Sequence, residues 1–471
     1  MVVYDILLVT GVLLFSGISW LYLRHPAASF YHPLTMYLAM HGIVFTIRPI
    51  LSRIFDYQAL YISTQFEPSL ADKITVLVAA NLALVVFAAV SLWIASRPVT
   101  YPKNIGDIHR EHLWVPFLVV AALVAPIALY SAVTEWIEVA TDASTMTVDR
   151  YTGVNYNTAN NGWLTSSQLA LVPLVSIFAW LTRFRWYSFI PFALFFIMRA
   201  GTGGRGPIII ATAAIIILFL LDRRRQWPEW RSAMLIVLAA FAFNAIVADR
   251  GKAVREMFIE DDAYEAVRAD ETKPFEHMDF ANLEYFEFAV YAVPQRSGTH
   301  DYFLHNLQIF TEPIPRIWWN EKPLGPPIAM YDLPDYGRPY GFTYSIAGIG
   351  WLAWGWPGVA IQAAIFALLF SWFHRRMANR PASPVFTLVF AVMIASAVVS
   401  FRDGTLLTVV RVLPFYIGPV FCMWALTFVL AHRFPSSPLA MRRARAEAAQ
   451  VRHNSPAERR KSLAALAAAP R

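Results

Sequence analysis

The sequence predicts an all-α polytopic membrane protein. Three observations carry that reading. Hydrophobic residues make up 57% of the 471 and charged residues only 15%, against about 25% charged in an ordinary soluble domain. The apolar residues fall in long unbroken blocks, and a helix needs about 20 of them to cross a bilayer. The Lys and Arg residues alternate from loop to loop as membrane topology requires. The lone Cys422 sits in an apolar run, which excludes disulfides and cysteine-rich metal sites.

Eleven transmembrane helices are predicted, at roughly 3–23, 34–51, 74–96, 113–133, 164–181, 186–198, 207–221, 232–248, 343–373, 384–400 and 405–431. The first lacks a basic leader and a small-residue cleavage pattern, so it reads as a retained span. Segments 164–181, 186–198 and 207–221 are short, with tight loops between them. Segment 343–373 is long and glycine-bearing, which predicts a kink or a partly interfacial course.

Orientation follows from the basic loops. One side receives Arg24; Arg97, Lys103 and Arg110; Arg183 and Arg185; Arg223, Arg224, Arg225 and Arg231; Arg375, Arg376 and Arg380; and nine more from Arg433 onward. The short loops of the other side hold six: Arg53, Lys73, Arg150, Arg199, Arg205 and Arg402. The first side is therefore cytoplasmic, with the N-terminus outside and the C-terminus inside. Spans 1–8 form a membrane domain over 1–248, and spans 9–11 complete it over 343–434. Between them, 249–342 is a large extracytoplasmic loop with seventeen of the 32 acidic residues and nine basic ones. It is too polar to span and too aromatic to be disordered, so it reads as an ordered cap. The tail 435–471 is a basic cytoplasmic arm suited to anionic lipid.

Four stretches carry candidate chemistry. The run Gly201-Thr202-Gly203-Gly204-Arg205-Gly206 satisfies G-x-G-x-x-G, but a dinucleotide loop needs a preceding strand and a following acidic residue on the same side. Here both flanks are spans, and Asp222 opens the cytoplasmic run Asp222–Arg225. What survives is anion binding by turned backbone amides and a helix N-terminus. Pro207 suits that helix's first turn, and Arg199 and Arg205 add cations.

The stretch 293–327 joins helix-stopping prolines to Arg316, Trp318, Trp319 and Lys322. Cations bind phosphate, and the large aromatics suit sugar rings or the membrane interface. Just upstream, His300 beside Asp301 offers a general base near neutral pH, with His305 close by. Glu284 and Glu287, at i and i+3, put an acidic stripe on an otherwise apolar segment, the pattern of an amphipathic surface helix; either carboxylate is a further candidate base. Finally, Arg402-Asp403-Gly404 forms the turn between the last two spans. Arg411 lies about two helical turns below it, and His41 and Arg48 lie inside the second span. Ionisable groups at such depth are costly and point to function. No His/Asp/Glu spacing matches a metal site, and no Walker or G-x-S-x-G pattern occurs.

The run "IPRIWWNEKP" after "SGTHDYF" resembles the Wzy-type O-antigen and exopolysaccharide repeat-unit polymerases. Gly204-Arg205-Gly206 and Arg402-Asp403-Gly404 are similar to turns of that family. The resemblance covers most of 1–434, and its specific part is the Pro-Arg…Lys-Pro stretch. It implies a GT-C-like membrane glycosyltransferase of a bacterial inner membrane, one that needs no metal or other cofactor. Its substrate would be an undecaprenyl-pyrophosphate-linked glycan within membrane lipid. A chain-length regulator and a flippase are the implied partners, and nucleic acid is not. Arg205, Arg316, Lys322 and Arg402 would converge on the leaving pyrophosphate, with Arg199 and Arg411 as further substrate-binding cations. His300, Asp301 or Glu284 would take the acceptor proton, and Trp318 and Trp319 would meet sugar or lipid. Three rivals stand beside this reading: a ligase-like glycan transferase, a transporter of polysaccharide precursors, and a non-enzymatic envelope partner.

Overall fold

The computed structural model describes residues 2–99, 111–140, 146–148, 155–157, 164, 166–201, 205–231, 234, 276, 281–311, 314, 318, 319, 336, 343–379 and 383–433. Its helices, in chain order, are α1 (Val2–Leu23), α2 (Pro33–Phe55), α3 (Ala59–Thr64), α4 (Leu70–Ile94), α5 (Trp114–Ala140), α6 (Ser167–Leu181), α7 (Trp186–Ala200), α8 (Arg205–Arg223), α9 (Asn282–Ala292), α10 (Leu304–Thr311), α11 (Ser345–Asn379), α12 (Pro384–Asp403) and α13 (Leu406–Leu430). The described strands are a short antiparallel pair, β1 (Met146–Val148) and β2 (Asn155–Asn157).

Eight of these helices are long and apolar enough to cross a membrane, and α6 and α7 are shorter apolar helices. Ten of the eleven expected spans therefore find a helix, although two of the ten fall short of spanning length. The remaining one, 232–248, lies outside the described residues, as do most of the cap and the tail 435–471.

Local sequence explains the helix ends. Ser69 and Asp72 close a reciprocal capping box at the start of α4. Ser383 caps α12, whose first residue is Pro384. Gly404 ends α12 in the left-handed conformation, and a side chain there would overlap the Ser345 carbonyl.

The helices alternate between two ends. At the basic end, Phe30 N–H donates to Gln226 O at 2.8 Å. There His32 Nε2 also meets Ala95 O at 3.2 Å, and the His32 ring lies 4.6 Å from that of His374. Trp20, Trp93, Trp186, Trp230 and Trp372, all close in sequence to the basic loops, are exposed, and Arg24 stacks over Trp20 at 3.9 Å. Such an aromatic belt beside arginines marks a membrane interface. At the opposite end, Arg53 pairs with Asp5 at 3.1 Å.

Between the ends lies an aromatic core. Tyr37 stacks on Phe87 at 4.0 Å. Phe401 meets Phe87, Phe366 and Phe370 edge-on at 5.1, 6.2 and 4.9 Å. Such offset and edge-to-face rings lock α2, α4, α11 and α12 together.

Two expectations are corrected. Helix α11 is no single span. Trp354 and Gly355 leave helical geometry, and Gly358 packs so tightly against Gly350 that neither position has room for a side chain. The chain turns back at 354–355, so 345–353 and 357–362 form an antiparallel hairpin. A run of continuous hydropathy hides this turn from the sequence, although the expected kink is present. Helix α9, expected on the surface with a solvated acidic stripe, is buried on every face from Asn282 to Val290. Its carboxylates are tolerated because each finds a partner inside.

Candidate functional site

The turn Arg402-Asp403-Gly404 is the point on which the cap end converges. Gly206, at the start of α8, packs on Val399 one turn before Arg402; a Cβ there would lie 3.6 Å from Val399 Cγ2. This brings half-buried Arg205 and the positive end of the α8 dipole to the same end as Arg402. Asn282, wholly buried, donates from Nδ2 to Thr343 O at 2.9 Å and to Arg402 O at 3.0 Å. Gln362 Nε2 donates to Gly404 O at 2.9 Å, and its Oε1 accepts from Asn306 Nδ2 at 3.1 Å. Asp403 pairs with Arg402 at 3.6 Å and accepts from Thr408 Oγ1 at 3.1 Å. Asn282 and Gln362, distant in sequence, thus meet at one turn, with Asn306 behind Gln362 and Gly206 beside Val399.

The histidine cluster sits beside it. The hairpin turn of α11 frees two carbonyls. Leu352 O accepts from Asp301 N–H at 3.0 Å, and Ala353 O accepts from Tyr302 N–H at 2.7 Å. Asp301 in turn receives the backbone N–H of His305 at 3.1 Å, capping α10, and binds His305 Nδ1. The Asp301 carboxylate serves His305, four residues on, and not the adjacent His300. Adjacent side chains diverge, whereas i and i+4 share a face, and that spacing was the available signal. His305 Nε2 is buried and has no hydrogen-bond partner among the described residues. Burial pushes the His305 imidazole down to about 4, and the carboxylate at Nδ1 works the other way. Asp301 thus occupies Nδ1, and Nε2 keeps no protein partner among the described residues. His300 lies against Gly355 at the hairpin tip, and burial lowers its affinity for a proton.

Glu284 is engaged elsewhere. Arg48 grips it with Nε at 2.9 Å from both carboxylate oxygens and Nη2 at 2.7 Å from Oε1. A doubly bound carboxylate with no exposure is a poor base, and the geometry gives Glu284 a structural place. Glu287, one turn on, accepts from the Tyr61 hydroxyl. Burial raises its carboxyl to about 7, with Lys73 opposing.

Arg199, which sequence left without an assigned partner, pairs with Glu135 at 3.1 Å and bonds Gln168. Its charge is largely met within the protein. Trp318 is strongly exposed and Trp319 partly so. Arg316, Lys322 and the side chain of Arg411 lie outside the described residues. Among the described residues no cluster of three or more His, Cys, Asp or Glu is arranged to hold a metal. Asn282 and Gln362 carry no sequence signal as site residues; only long-range folding assigns them. Comparison of the chain with protein-family models, with curated proteins and with solved structures finds no match.

Proposed function

We propose that this protein is a membrane glycosyltransferase that polymerises lipid-pyrophosphate-linked oligosaccharide repeat units on the extracytoplasmic side of a bacterial inner membrane. One observation carries the reading. The Arg205 segment and the Asp301–His305 helix meet at the Arg402-Asp403-Gly404 turn. On this reading the arginines serve the leaving pyrophosphate and the His305 imidazole serves the acceptor hydroxyl. The resemblance of 293–327 to the polymerase signature supports the same chemistry.

The reaction runs as follows. His305 Nε2 takes the proton of an acceptor sugar hydroxyl, while Asp301 holds the ring and stabilises the imidazolium that forms. The acceptor oxygen bonds to the anomeric carbon of the growing chain. The bond from that carbon to the carrier's pyrophosphate breaks, and the lipid pyrophosphate leaves. Arg205, Arg402 and the α8 N-terminus stabilise its charge. Arg316 and Lys322 are the further cations that this reading assigns to the pyrophosphate.

The test is a ladder assay with purified protein in nanodiscs and one lipid-linked repeat unit. Arg205→Ala and Arg402→Ala should each cut polymer formation by about 10²–10³-fold. Undiminished polymer in both variants sinks the assignment. A wild-type protein that yields product only when a second, different acceptor is added is a ligase instead.

A further inference from the structure

Two carbonyls of the Arg402-Asp403-Gly404 turn are each occupied by a side-chain amide. Asn282 Nδ2 donates to Arg402 O, and Gln362 Nε2 donates to Gly404 O. The second amide decides what its own neighbour presents. A carboxamide donates only from its nitrogen and accepts only at its oxygen. Gly404 O can only accept, so Gln362 turns Nε2 towards it and Oε1 away. Oε1 can only accept as well, so Asn306 meets it with Nδ2, at 3.1 Å. One backbone carbonyl thus fixes two amides in turn, and Asn306 Oδ1 is left as the acceptor at the end of the chain.

That acceptor has no hydrogen-bond partner among the described residues. Asn306 is 9% exposed and Gln362 wholly buried. An unmet acceptor at such burial is costly, so the position calls for a donor. An amide oxygen carries no charge to hold an ion; it takes a neutral O–H or N–H. Asn306 directly follows His305 on α10, and successive residues of a helix stand about 100° apart. His305 Nε2 is the other buried side-chain atom of that helix without a partner among the described residues, as an acceptor of protons.

The proposed reaction brings a polyhydroxylated acceptor to His305, and a sugar carries further hydroxyls beside the one that reacts. We propose that Asn306 Oδ1 reads a second hydroxyl of the acceptor sugar, and that Gln362 is a positioning residue that holds Asn306 in the orientation presenting Oδ1. This rests on the proposed function for the role of His305. The division of labour has a chemical logic. Pyrophosphate is common to every lipid-linked unit, so arginines cannot select among sugars. A neutral, oriented acceptor can, because a sugar that lacks the matching hydroxyl leaves Oδ1 unpaired.

The test uses full-length protein in nanodiscs, a fixed lipid-linked donor, and the carrier-free repeat-unit oligosaccharide of the host's own polysaccharide as the varied acceptor. Asn306→Ala should raise the acceptor KM roughly tenfold with kcat changed less than about threefold. Gln362→Leu should act in the same direction. Gln362→Glu should recover most of the loss, because a protonated carboxyl can both donate to Gly404 O and accept from Asn306. Among monodeoxy versions of the acceptor, one should be used roughly tenfold less well by wild type and as well as its parent by Asn306→Ala. An unaltered KM in Asn306→Ala overturns the proposal, and so does a loss of kcat alone, which makes Asn306 a prop for His305. Equal defects in the Leu and Glu variants at Gln362 remove its positioning role. Should Asn306→Ala fail to fold, wild type still decides: no single deoxy acceptor worse than the rest means that no second hydroxyl is read. Saturation-transfer NMR with the same oligosaccharide and no donor separates the two readings. Binding that weakens in Asn306→Ala, in a protein that makes no polymer, keeps the hydroxyl site and removes the polymerase. Polymer formation with unaltered binding and KM in the variant does the opposite.

Discussion

Two buried acid–base pairs, Arg48 with Glu284 and Asp301 with His305, differ in one respect. Arg48 and Glu284 hold each other at 2.7–2.9 Å, with both carboxylate oxygens engaged. Asp301 and His305 use up the carboxylate and Nδ1 but leave Nε2 open. Both pairs are taken out of water, and both bear the cost of desolvation. The first regains it entirely within the protein and can only hold structure. The second keeps one proton-accepting atom uncommitted, which is what a catalytic base requires. Burial alone does not separate a staple from a catalyst; unused valence does.

The sharpest way to break the comparison is His305→Gln. It should lower turnover of a lipid-linked repeat unit in nanodiscs by about 10²–10⁴-fold. Thermal unfolding should stay within about 1 kcal/mol of wild type. Full activity in the variant returns the base to His300 or to Glu287 and dissolves the contrast. Glu284→Gln should do the reverse. It strands the Arg48 guanidinium, 2% exposed, at a cost of about 3–5 kcal/mol. Restoring an apolar match with Arg48→Met and Glu284→Leu together should recover most of it. The readout is the denaturation midpoint in detergent. A single variant as stable as wild type would mean the pair is no staple.

Much of this was legible from the sequence, for identifiable reasons. Long apolar blocks located the helices, because a bilayer leaves the backbone no other arrangement. The Arg402-Asp403-Gly404 turn and Arg205 stood out because charge is costly where short loops meet membrane. The kink expected in 343–373 is present in α11, where the glycines bring Gly350 against Gly358. Helix α9 was misjudged because an acidic stripe reads as solvated unless its partners are known, and Arg48 and Tyr61 are more than 200 residues away. The same distance conceals Asn282 and Gln362. The Asp301–His305 pair was within reach, since the i, i+4 spacing is local; only adjacency drew attention to His300 instead.

Glu287 gives the mildest test, and it probes the middle ground between the two pairs. Its carboxyl is hydrogen-bonded to Tyr61 yet raised from 4.5 to about 7 by burial. The folded protein therefore holds this proton more tightly than the unfolded chain does. Stability contributed by the protonated form is full below about pH 4.5 and is lost as pH rises towards 7. The slope from this one group is at most about 1.4 kcal/mol per pH unit. Glu287→Gln mimics the protonated carboxyl and should flatten that part of the profile, so that the variant gains on wild type most above pH 7. Midpoints measured from pH 5 to 8 for both proteins decide it. Parallel profiles would mean that Lys73 and Arg48 neutralise Glu287 as fully as Arg48 neutralises Glu284. Glu287 would then join Arg48 and Glu284 as a third fixed charge, on the structural side of the contrast with His305.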